Sequence, residues 1–320
     1  MHLRNHRKPL FTLFSIFTLL CLLLSSCNGE IAPTEETGVR FTDALGREIT
    51  VSRSPQRVAV LLGSFADIWM LAGGSVCAAP NDAWEDFGLD LKDAVELGGA
   101  HSPNTELLLA SAPQLVLASA SSASNVAMRE LLETAGITVA YFDVDDFEDY
   151  LHMLGICTDI TGRKDLFEQN GTRIAAQINA VKKRYKSEEI PPRERTVLLL
   201  RVSSGAVKAK GSRGTVLGEM LSDMGCVNIA DSDGTLLEQF SVEAVMRHQP
   251  YRIFAVAMGS DTEAATAKLN AMIKENPAWG TLDAVQNGRL HVMEKNLFNL
   301  KPNARWGEAY EILYETLTKK

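Results

Sequence analysis

The chain has 320 residues, of which 46% are hydrophobic and 22% are charged, and its formal net charge is −8. This composition is typical of a globular protein and excludes a disordered one, and the length suits two domains of ordinary size. The acidic balance argues against nucleic acid as a partner. It leaves small ligands open, because local charge in a cleft can oppose the total charge.

Residues 1–26 have the features of a secretory signal peptide. Basic residues come first, a nearly continuous apolar run follows at 10–24, and small residues then precede Cys27. The run is short for a spanning helix, and the segment before Cys27 resembles the lipobox of bacterial lipoproteins. Lipidation of Cys27 would anchor the mature protein to a membrane, with residues 27–38 as a tether. The alternatives are an ordinary secreted protein and an uncleaved anchor helix.

Residues 39–146 alternate between strand and helix patterns, which predicts an α/β lobe with a largely parallel sheet. The predicted elements, in order, are a hairpin at 39–51, a strand at 57–62, a helix at 65–72, a strand at 76–79, a helix at 125–135 and a strand at 137–142. Residues 81–97 are predicted to be irregular.

Residues 147–187 show only helical spacing and predict a long helical crossing, although Gly162 and Gly171 weaken the case for one unbroken helix. Residues 188–320 return to an α/β pattern. The predicted elements there are strands at 196–202, 206–209 and 290–293 and helices at 216–224, 261–275, 281–285 and 304–319.

Two segments, one in each half of the chain, share a pattern. Each has a residue that can cap a helix, a glutamate two positions later, a proline seven positions after the glutamate and then an apolar run: Asn104, Glu106 and Pro113 in the first copy, and Ser241, Glu243 and Pro250 in the second. The pattern predicts a short capped helix, a stop and a buried strand. Favourable interaction of each carboxylate with its helix dipole would by itself explain the glutamates.

Several segments in order resemble the solute-binding lipoproteins of bacterial ABC importers for iron-siderophores, haem and cobalamin. They are the residues 41–48, the residues 55–58, the two glutamate–proline segments, the Thr161-Gly-Arg sequence and the residues 301–310. The resemblance covers essentially the whole mature chain. It implies two Rossmann-like α/β lobes joined by a long rigid α-helix, with ligand bound in the cleft between the lobes. It also implies that Glu106 and Glu243 dock on arginines of the permease.

Ligands of open α/β sheets bind beyond the carboxyl ends of the strands. That rule, together with the segment 301–310 near the end of the chain, selects these candidates for the ligand cleft: Ser64, Phe65, Trp84, Ser121, Arg201, Ser203, Arg213, Phe298 and Trp306. Arg201, Lys208, Lys210 and Arg213 form a basic spot that could receive an anionic ligand such as a ferric chelate or a haem propionate. Solvated surface charge is the alternative for this spot, and core packing is the alternative for Trp84 and Trp306.

No catalytic residues and no metal site are predicted. The mature histidines lack paired spacing, and Cys77, Cys157 and Cys226 are interpreted as buried apolar residues. The predicted function is a membrane-anchored, extracytoplasmic solute-binding protein that delivers an iron-siderophore, haem or cobalamin-type ligand to an ABC permease dimer and its ATPase subunits. It needs no cofactor of its own, although the ligand can contain iron or cobalt. The alternatives are a zinc or manganese importer component and, less favoured, an extracellular enzyme.

Overall fold

The structure is a computed structural model that describes residues 38–319. The predicted signal peptide, the lipidation site at Cys27 and nearly all of the tether lie outside these residues. None of the helices within 38–319 is long and apolar enough to cross a membrane.

A β-hairpin opens the described chain, as predicted. Strands β1 (Gly38–Thr42) and β2 (Glu48–Ser52) pair antiparallel. The side chain of Asp43 organises the turn by accepting hydrogen bonds from the backbone N–H groups of Leu45 and Arg47, both at 3.0 Å. The backbone N–H of Ala44 donates to the carbonyl of Tyr141, which attaches the hairpin to the following sheet.

The first sheet is fully parallel and confirms the α/β prediction for this half. Its strands run in the order β5-β4-β3-β6-β7. They are β3 (Val58–Val60), β4 (Ala78–Ala79), β5 (Val95–Glu96), β6 (Leu115–Ser119) and β7 (Thr138–Phe142). The helices between them are α1 (Gly63–Leu71), α2 (Asp82–Glu85), α3 (Thr105–Ala110), α4 (Ala123–Ala127) and α5 (Arg129–Thr134). The stretch predicted to be irregular therefore contains α2 and β5.

The helix predicted across 147–187 is divided in two. Helix α6 (Phe147–Thr161) ends at Gly162, which has a left-handed φ of 74°. The helical path restarts as α7 (Lys164–Phe167), passes through a π-helical turn (Glu168–Thr172) and continues as α8 (Arg173–Ser187). The prediction of one continuous helix is therefore corrected at Gly162, because glycine adopts this backbone conformation at low cost and ends a helix.

The second sheet is parallel except for one strand. Its order is β10-β8-β11-β12, and β9 pairs antiparallel with β8. The strands are β8 (Thr196–Val202), β9 (Val207–Lys210), β10 (Val227–Asn228), β11 (Arg252–Ala257) and β12 (Leu290–Met293). The helices of this half are α9 (Val216–Asp223), α10 (Ile229–Ser232), α11 (Thr235–Glu238), α12 (Val242–His248), α13 (Thr262–Glu275), α14 (Asp283–Gln286), α15 (Lys295–Phe298) and α16 (Trp306–Thr318).

One apolar core joins the two sheets. It includes Leu117 of β6, Leu199 of β8, Tyr150 of α6, Val181 of α8 and Trp306 of α16, all no more than 1% exposed. We call it the joint core. The opposite faces of the first and second sheets have separate apolar clusters of their own. The helices α6, α8 and α16 thus pack against the inner faces of both sheets, where burial of apolar surface is the main stabilising contribution.

The first sheet lies within residues 58–142 and the second within residues 196–293. The predicted division into a lobe at 39–146, a connection at 147–187 and a lobe at 188–320 remains a prediction. The closing helix α16 returns to the connection, where the guanidinium of Arg184 lies 3.9 Å from the ring centroid of Tyr314.

Candidate ligand-binding site

Three basic side chains lie on the inner face of the second sheet, near the carboxyl end of β8. Arg201 lies opposite Lys208 in the β8–β9 ladder, and Leu199 lies opposite Lys210. Leu199 belongs to the joint core, whereas Leu200 belongs to the outer cluster. Because strand residues alternate between faces, Arg201, Lys208 and Lys210 share the inner face with Leu199.

A fourth cation, Lys301, joins this group from the segment after α15. Its charge acts on Arg201 and on the nearby carboxylate of Asp145, which follows β7. We call Arg201, Lys208, Lys210 and Lys301 the basic cluster. Within residues 38–319, none of its members forms an ion pair with a carboxylate.

Burial affects the charges in the basic cluster. It lowers the pKa of the Arg201 guanidinium and of the Lys301 ammonium, and the negative charge of Asp145 opposes both changes. Burial also lowers the pKa of Lys210, and the charges of Arg201 and Lys208 lower it further. The Nε of Arg201 is buried and has no hydrogen-bond partner in the part of the chain that the structure describes. An anion placed here would reduce the repulsion among the cations and would accept a hydrogen bond from the Nε of Arg201.

A cavity of about 290 Å³ lies beside Lys301 and is lined from both halves of the chain. The first half contributes Asp67, Asp86 and Phe87, and the second half contributes Asn296, Lys301 and Arg305. The cavity lies where residues of the two halves meet, and the prediction of a ligand space between the halves stays a prediction.

Two side chains of the second half bind the first half beside this cavity. The Nζ of Lys295 lies 2.6 Å from the Oδ1 of Asp86. The Nδ2 of Asn303 donates to the carbonyl of Ser64 at 2.9 Å and to the Oδ2 of Asp67 at 2.8 Å. Asn303 is fully buried and has a φ of 52°, so these hydrogen bonds hold an unfavourable backbone conformation in place.

Arg213 does not belong to the basic cluster. It is exposed, and its guanidinium pairs with Glu219 at 2.8 Å. It lies at a different cavity of about 360 Å³, together with Lys182, Asp223 and Tyr310. The basic spot predicted from sequence is thus divided: three of its members come together, and Arg213 points to a neighbouring depression.

Four of the predicted cleft residues are core residues in this structure. Phe65, Phe298 and Trp306 are no more than 1% exposed, and Ser64 is 6% exposed. The ring of Trp306 packs against that of Phe147 at 5.9 Å between centroids. Their burial does not support an assignment to an open cleft: the three aromatic rings, all at or near helix ends, pack in the joint core, and the side chain of Ser64 is covered as well.

The other predicted cleft residues have accessible surface. Trp84 is half-buried and packs against the joint core. Ser121 is exposed after β6, with its Oγ 2.9 Å from that of Ser119. Ser203 is half-buried, and its Oγ accepts a hydrogen bond from the N–H of Ala206 at the β8–β9 turn. Their assignment to the cleft stays a prediction.

The sequence patterns do not identify Asp145 and Lys301, whose charges act on Arg201, as candidates for the site. The rule that ligands bind beyond the carboxyl ends of strands could have selected Asp145, since β7 ends at Phe142. Lys301 opens the segment 301–310 that carried part of the resemblance, but no pattern in that segment points to a role in binding.

The two glutamate–proline segments adopt the predicted structure in both halves. The Oδ1 of Asn104 accepts from the N–H groups of Glu106 and Leu107, and the Oγ of Ser241 accepts from the N–H of Ala244. Glu106 and Glu243 are both exposed in the first turn of their helices. Within the described chain, neither carboxylate has an ion-pair partner. Both are therefore free to bind another molecule.

The likeness of the two segments extends to an unusual backbone conformation. Ala112 has a φ of 44° and Gln249 a φ of 45°, and each directly precedes the proline of its segment. A positive φ is uncommon for residues other than glycine. The shared conformation supports treating the two segments as structural equivalents.

In residues 38–319, no set of three or more His, Cys, Asp or Glu side chains is placed to hold a metal ion. Cys157 and Cys226 are buried and Cys77 is half-buried, each as a free thiol. Burial raises the pKa of all three thiols, to about 11 for Cys226, which favours the neutral form.

Residues 58–297 match the model of the periplasmic binding protein family. This chain belongs to that family, and its two largely parallel sheets match the two-lobe fold of class III members. It is a solute-binding protein of the kind that serves ABC importers.

Two relatives come from Bacillus subtilis strain 168. The "Fe(3+)-citrate-binding protein YfmC" is 22% identical over 303 residues, which cover 92% of each chain. The "Uncharacterized ABC transporter substrate-binding lipoprotein YvrC" is 24% identical over 287 residues, which cover 89% of this chain and 87% of the relative.

Solved structures show the same fold. Staphylococcus aureus SirA, complexed with staphyloferrin B, has a TM-score of 0.69 at 20% identity and covers 87% of this chain and 98% of its own. The vitamin B12 binding protein BtuF of Vibrio cholerae has a TM-score of 0.66 at 18% identity. The match covers 82% of this chain and 97% of BtuF.

Proposed function

We propose that this protein captures an anionic iron chelate for an ABC importer, and that the ligand binds at the basic cluster. The observation that carries the proposal is the group of unpaired cations on the inner face of the second sheet, in which Arg201 keeps a buried Nε without a partner. Unpaired buried cations destabilise a protein unless a ligand compensates them. A chelate with several carboxylates supplies such compensation.

The names of similar proteins are consistent with this ligand class. YfmC is named for ferric citrate, and SirA was solved with staphyloferrin B. BtuF is named for vitamin B12, so a corrinoid is the second candidate ligand. The basic cluster favours the anionic chelate, because charge-assisted hydrogen bonds are roughly twice as strong as neutral ones.

Three further features belong to the proposal. The mature protein is anchored to the extracytoplasmic side of the membrane through lipid on Cys27. Glu106 and Glu243 dock on arginines of a permease dimer that works with ATPase subunits. The protein has no cofactor of its own and no enzymatic activity, and any iron or cobalt arrives within the ligand. Exposed carboxylates in two separate helices support the docking, since each can accept a bidentate hydrogen bond from arginine.

Thermal unfolding of the mature protein with a panel of ligands tests the ligand class. Ferric citrate, ferric siderophores that carry carboxylates, haem, cyanocobalamin, Zn²⁺ and Mn²⁺ form the panel. A ligand that binds only the folded state raises the melting temperature, and we expect this from an anionic ferric chelate. A shift with cyanocobalamin alone, or with Zn²⁺ or Mn²⁺ alone, would refute the proposal.

A further inference from the structure

Helix α12 carries a basic residue at the spacing of a helical ion pair from its glutamate. Arg247 lies four positions after Glu243 on this helix, and a glutamate four positions before a cation is the favourable order for such a pair. Both side chains are exposed. Among residues 38–319, however, Glu243 forms no ion pair, and the Nη2 of Arg247 lies instead 3.5 Å from the Oδ2 of Asp233.

Asp233 lies in the turn between α10 and α11, and local hydrogen bonds fix its side chain. Its Oδ1 accepts from the Oγ1 of Thr235 at 2.5 Å and from the backbone N–H of the same residue at 3.1 Å. Its Oδ2 lies 2.9 Å from the Nε2 of His248. These contacts lower the pKa of Asp233 to about 2, so the group is ionised at neutral pH. It is a fixed anion beside the last turn of α12.

The first half of the chain does not need such an anion. Glu106 is the equivalent of Glu243, and the position equivalent to Arg247 is Ala110. No cation therefore follows Glu106 at the spacing of a helical ion pair. Of the two glutamate–proline segments, the one with a competing cation on its helix is the one that has Asp233 beside it.

We propose that Asp233 is a positioning residue for docking, which holds the guanidinium of Arg247 away from Glu243 and so keeps this carboxylate free for an arginine of the permease. The inference rests on the proposed docking role of Glu243. Without Asp233, Arg247 would compete with the permease for the same carboxylate. Its uncompensated charge would also repel the arginines of the permease. Each effect should weaken docking about twofold, as for other exposed charge pairs, and the two together about fourfold.

Binding of the mature protein to the permease–ATPase complex of its own importer, held in lipid nanodiscs, tests the inference. Asp233→Asn keeps an oxygen that can accept from the N–H of Thr235 but removes the charge that attracts Arg247. We expect its dissociation constant, measured by biolayer interferometry at low salt, to be about fourfold higher than that of the wild-type protein.

The matched control is Asp261→Asn. It also removes one negative charge in the second half, and asparagine caps a helix as well as the aspartate that caps α13. This substitution should change the dissociation constant by less than about twofold.

A second substitution distinguishes the release of Arg247 from damage to the turn. Arg247→Ala removes the competing cation, so the double variant Asp233→Asn with Arg247→Ala should dock as tightly as the wild-type protein. Arg247→Ala alone should dock at least as tightly. A loss caused by a disturbed turn between α10 and α11 would persist in the double variant and would contradict the inference.

The double charge reversal Glu106→Lys with Glu243→Lys, measured in the same way, separates the inference from the docking proposal. If the reversal abolishes binding but Asp233→Asn binds like the wild-type protein, the inference is wrong and the docking role of the glutamates stands. If the reversal leaves binding unchanged, the docking proposal fails and the inference fails with it.

Discussion

At the scale of single residues, two arginines that the sequence analysis placed in one basic spot have different environments. Arg201 lies half-buried on β8, with an unpartnered Nε and with other cations near it. Arg213 lies 12 positions later in an exposed loop and pairs with Glu219. The pair offers a matched comparison, because the same change of side chain removes the proposed ligand contact at one position and only a surface ion pair at the other.

We expect Arg201→Gln to weaken binding of an anionic ferric chelate by a factor of about 10 to 100, the loss expected for charge-assisted hydrogen bonds in a partly buried site. Arg213→Gln should change affinity by less than about twofold. The stability of unliganded Arg201→Gln should not fall, since the wild-type guanidinium lacks a counter-ion. Fluorescence titration and urea unfolding check both points. Equal effects of the two substitutions would contradict the assignment of Arg201.

The turn of the β1–β2 hairpin contains a largely buried ion pair between Asp43 and Arg47. The Nε of Arg47 donates to the Oδ2 of Asp43 at 3.0 Å, and the side chain of Asp43 has no exposed surface. Burial of the Asp43 carboxyl favours its neutral form, but hydrogen bonds from Arg47 outweigh burial and hold its pKa below the usual range. The ionised pair therefore stabilises the folded protein.

Because the folded-state pKa of Asp43 is lowered, its contribution to stability is present above its ordinary pKa near 3.8 and is lost as the pH falls through the folded-state value. Arg47→Met should destabilise the protein by about 2–4 kcal/mol at neutral pH, since it leaves a buried carboxylate unpaired. Urea unfolding between pH 3 and pH 7 should show less of this difference at the acidic end. A difference that does not depend on pH would show that packing of Arg47 outweighs its charge.

At the scale of elements, α3 and α12 present equivalent carboxylates on equivalent helices. The helices begin at Thr105 and Val242 and are capped from the preceding residue in each case. Each lies before a buried strand of a different sheet. Because the two glutamates lie in helices that precede strands of different sheets, they are unsuitable as a pair for acid–base catalysis and suitable as two points of contact.

We expect the double variant Glu106→Lys with Glu243→Lys to abolish uptake of the ligand while the affinity of the isolated protein stays within about twofold of wild type. Reversed charges would repel the arginines of the permease. The matched control is Glu130→Lys with Glu263→Lys, because these glutamates are also exposed in the first turns of helices in the two halves. Normal uptake by the first variant, or equal loss in both, would remove the docking assignment.

Much of the element order could be predicted from the sequence, because local signals and tertiary packing agree. In both glutamate–proline segments, the capping residue, the proline and the apolar run after it correctly predicted a short helix followed by a buried strand. The break at Gly162 was less certain, since a glycine is tolerated in a helix when packing allows it. The sequence did not decide between burial and exposure of Phe65, Phe298 and Trp306, because aromatic residues near helix ends suit both a core and an exposed site. Lys301 follows α15, about 100 positions after Arg201, and only the tertiary fold brings its charge to act on Arg201.

At the scale of the whole molecule, the joint core makes the two sheets depend on each other. Residues from both sheets and from α6, α8 and α16 contribute to it. Removal of either sheet would expose a large apolar surface of the other, which makes a separately folded half unfavourable. The hydrogen bonds of Asn303 and the ion pair of Lys295 add polar contacts between the halves.

We expect the mature protein to unfold in urea as a single cooperative transition, with coincident curves from far-ultraviolet circular dichroism and tryptophan fluorescence. Trp69 and Trp306 report on the joint core, and Trp279 reports on the outer cluster of the second sheet. Two separated transitions would show that the halves fold independently in spite of their shared core.

The matching backbone of the two glutamate–proline segments has a consequence for how this protein would meet its permease. A receptor built from two identical subunits cannot tell one copy of such a segment from the other by the glutamate alone. Under the proposed docking, each glutamate can bind the same arginine site on either subunit, which allows two arrangements of the complex. Any preference would have to come from neighbours that differ, such as Ala110 in the first half and Arg247 at the equivalent position in the second. Productive encounters would be up to twice as frequent as with a single allowed orientation.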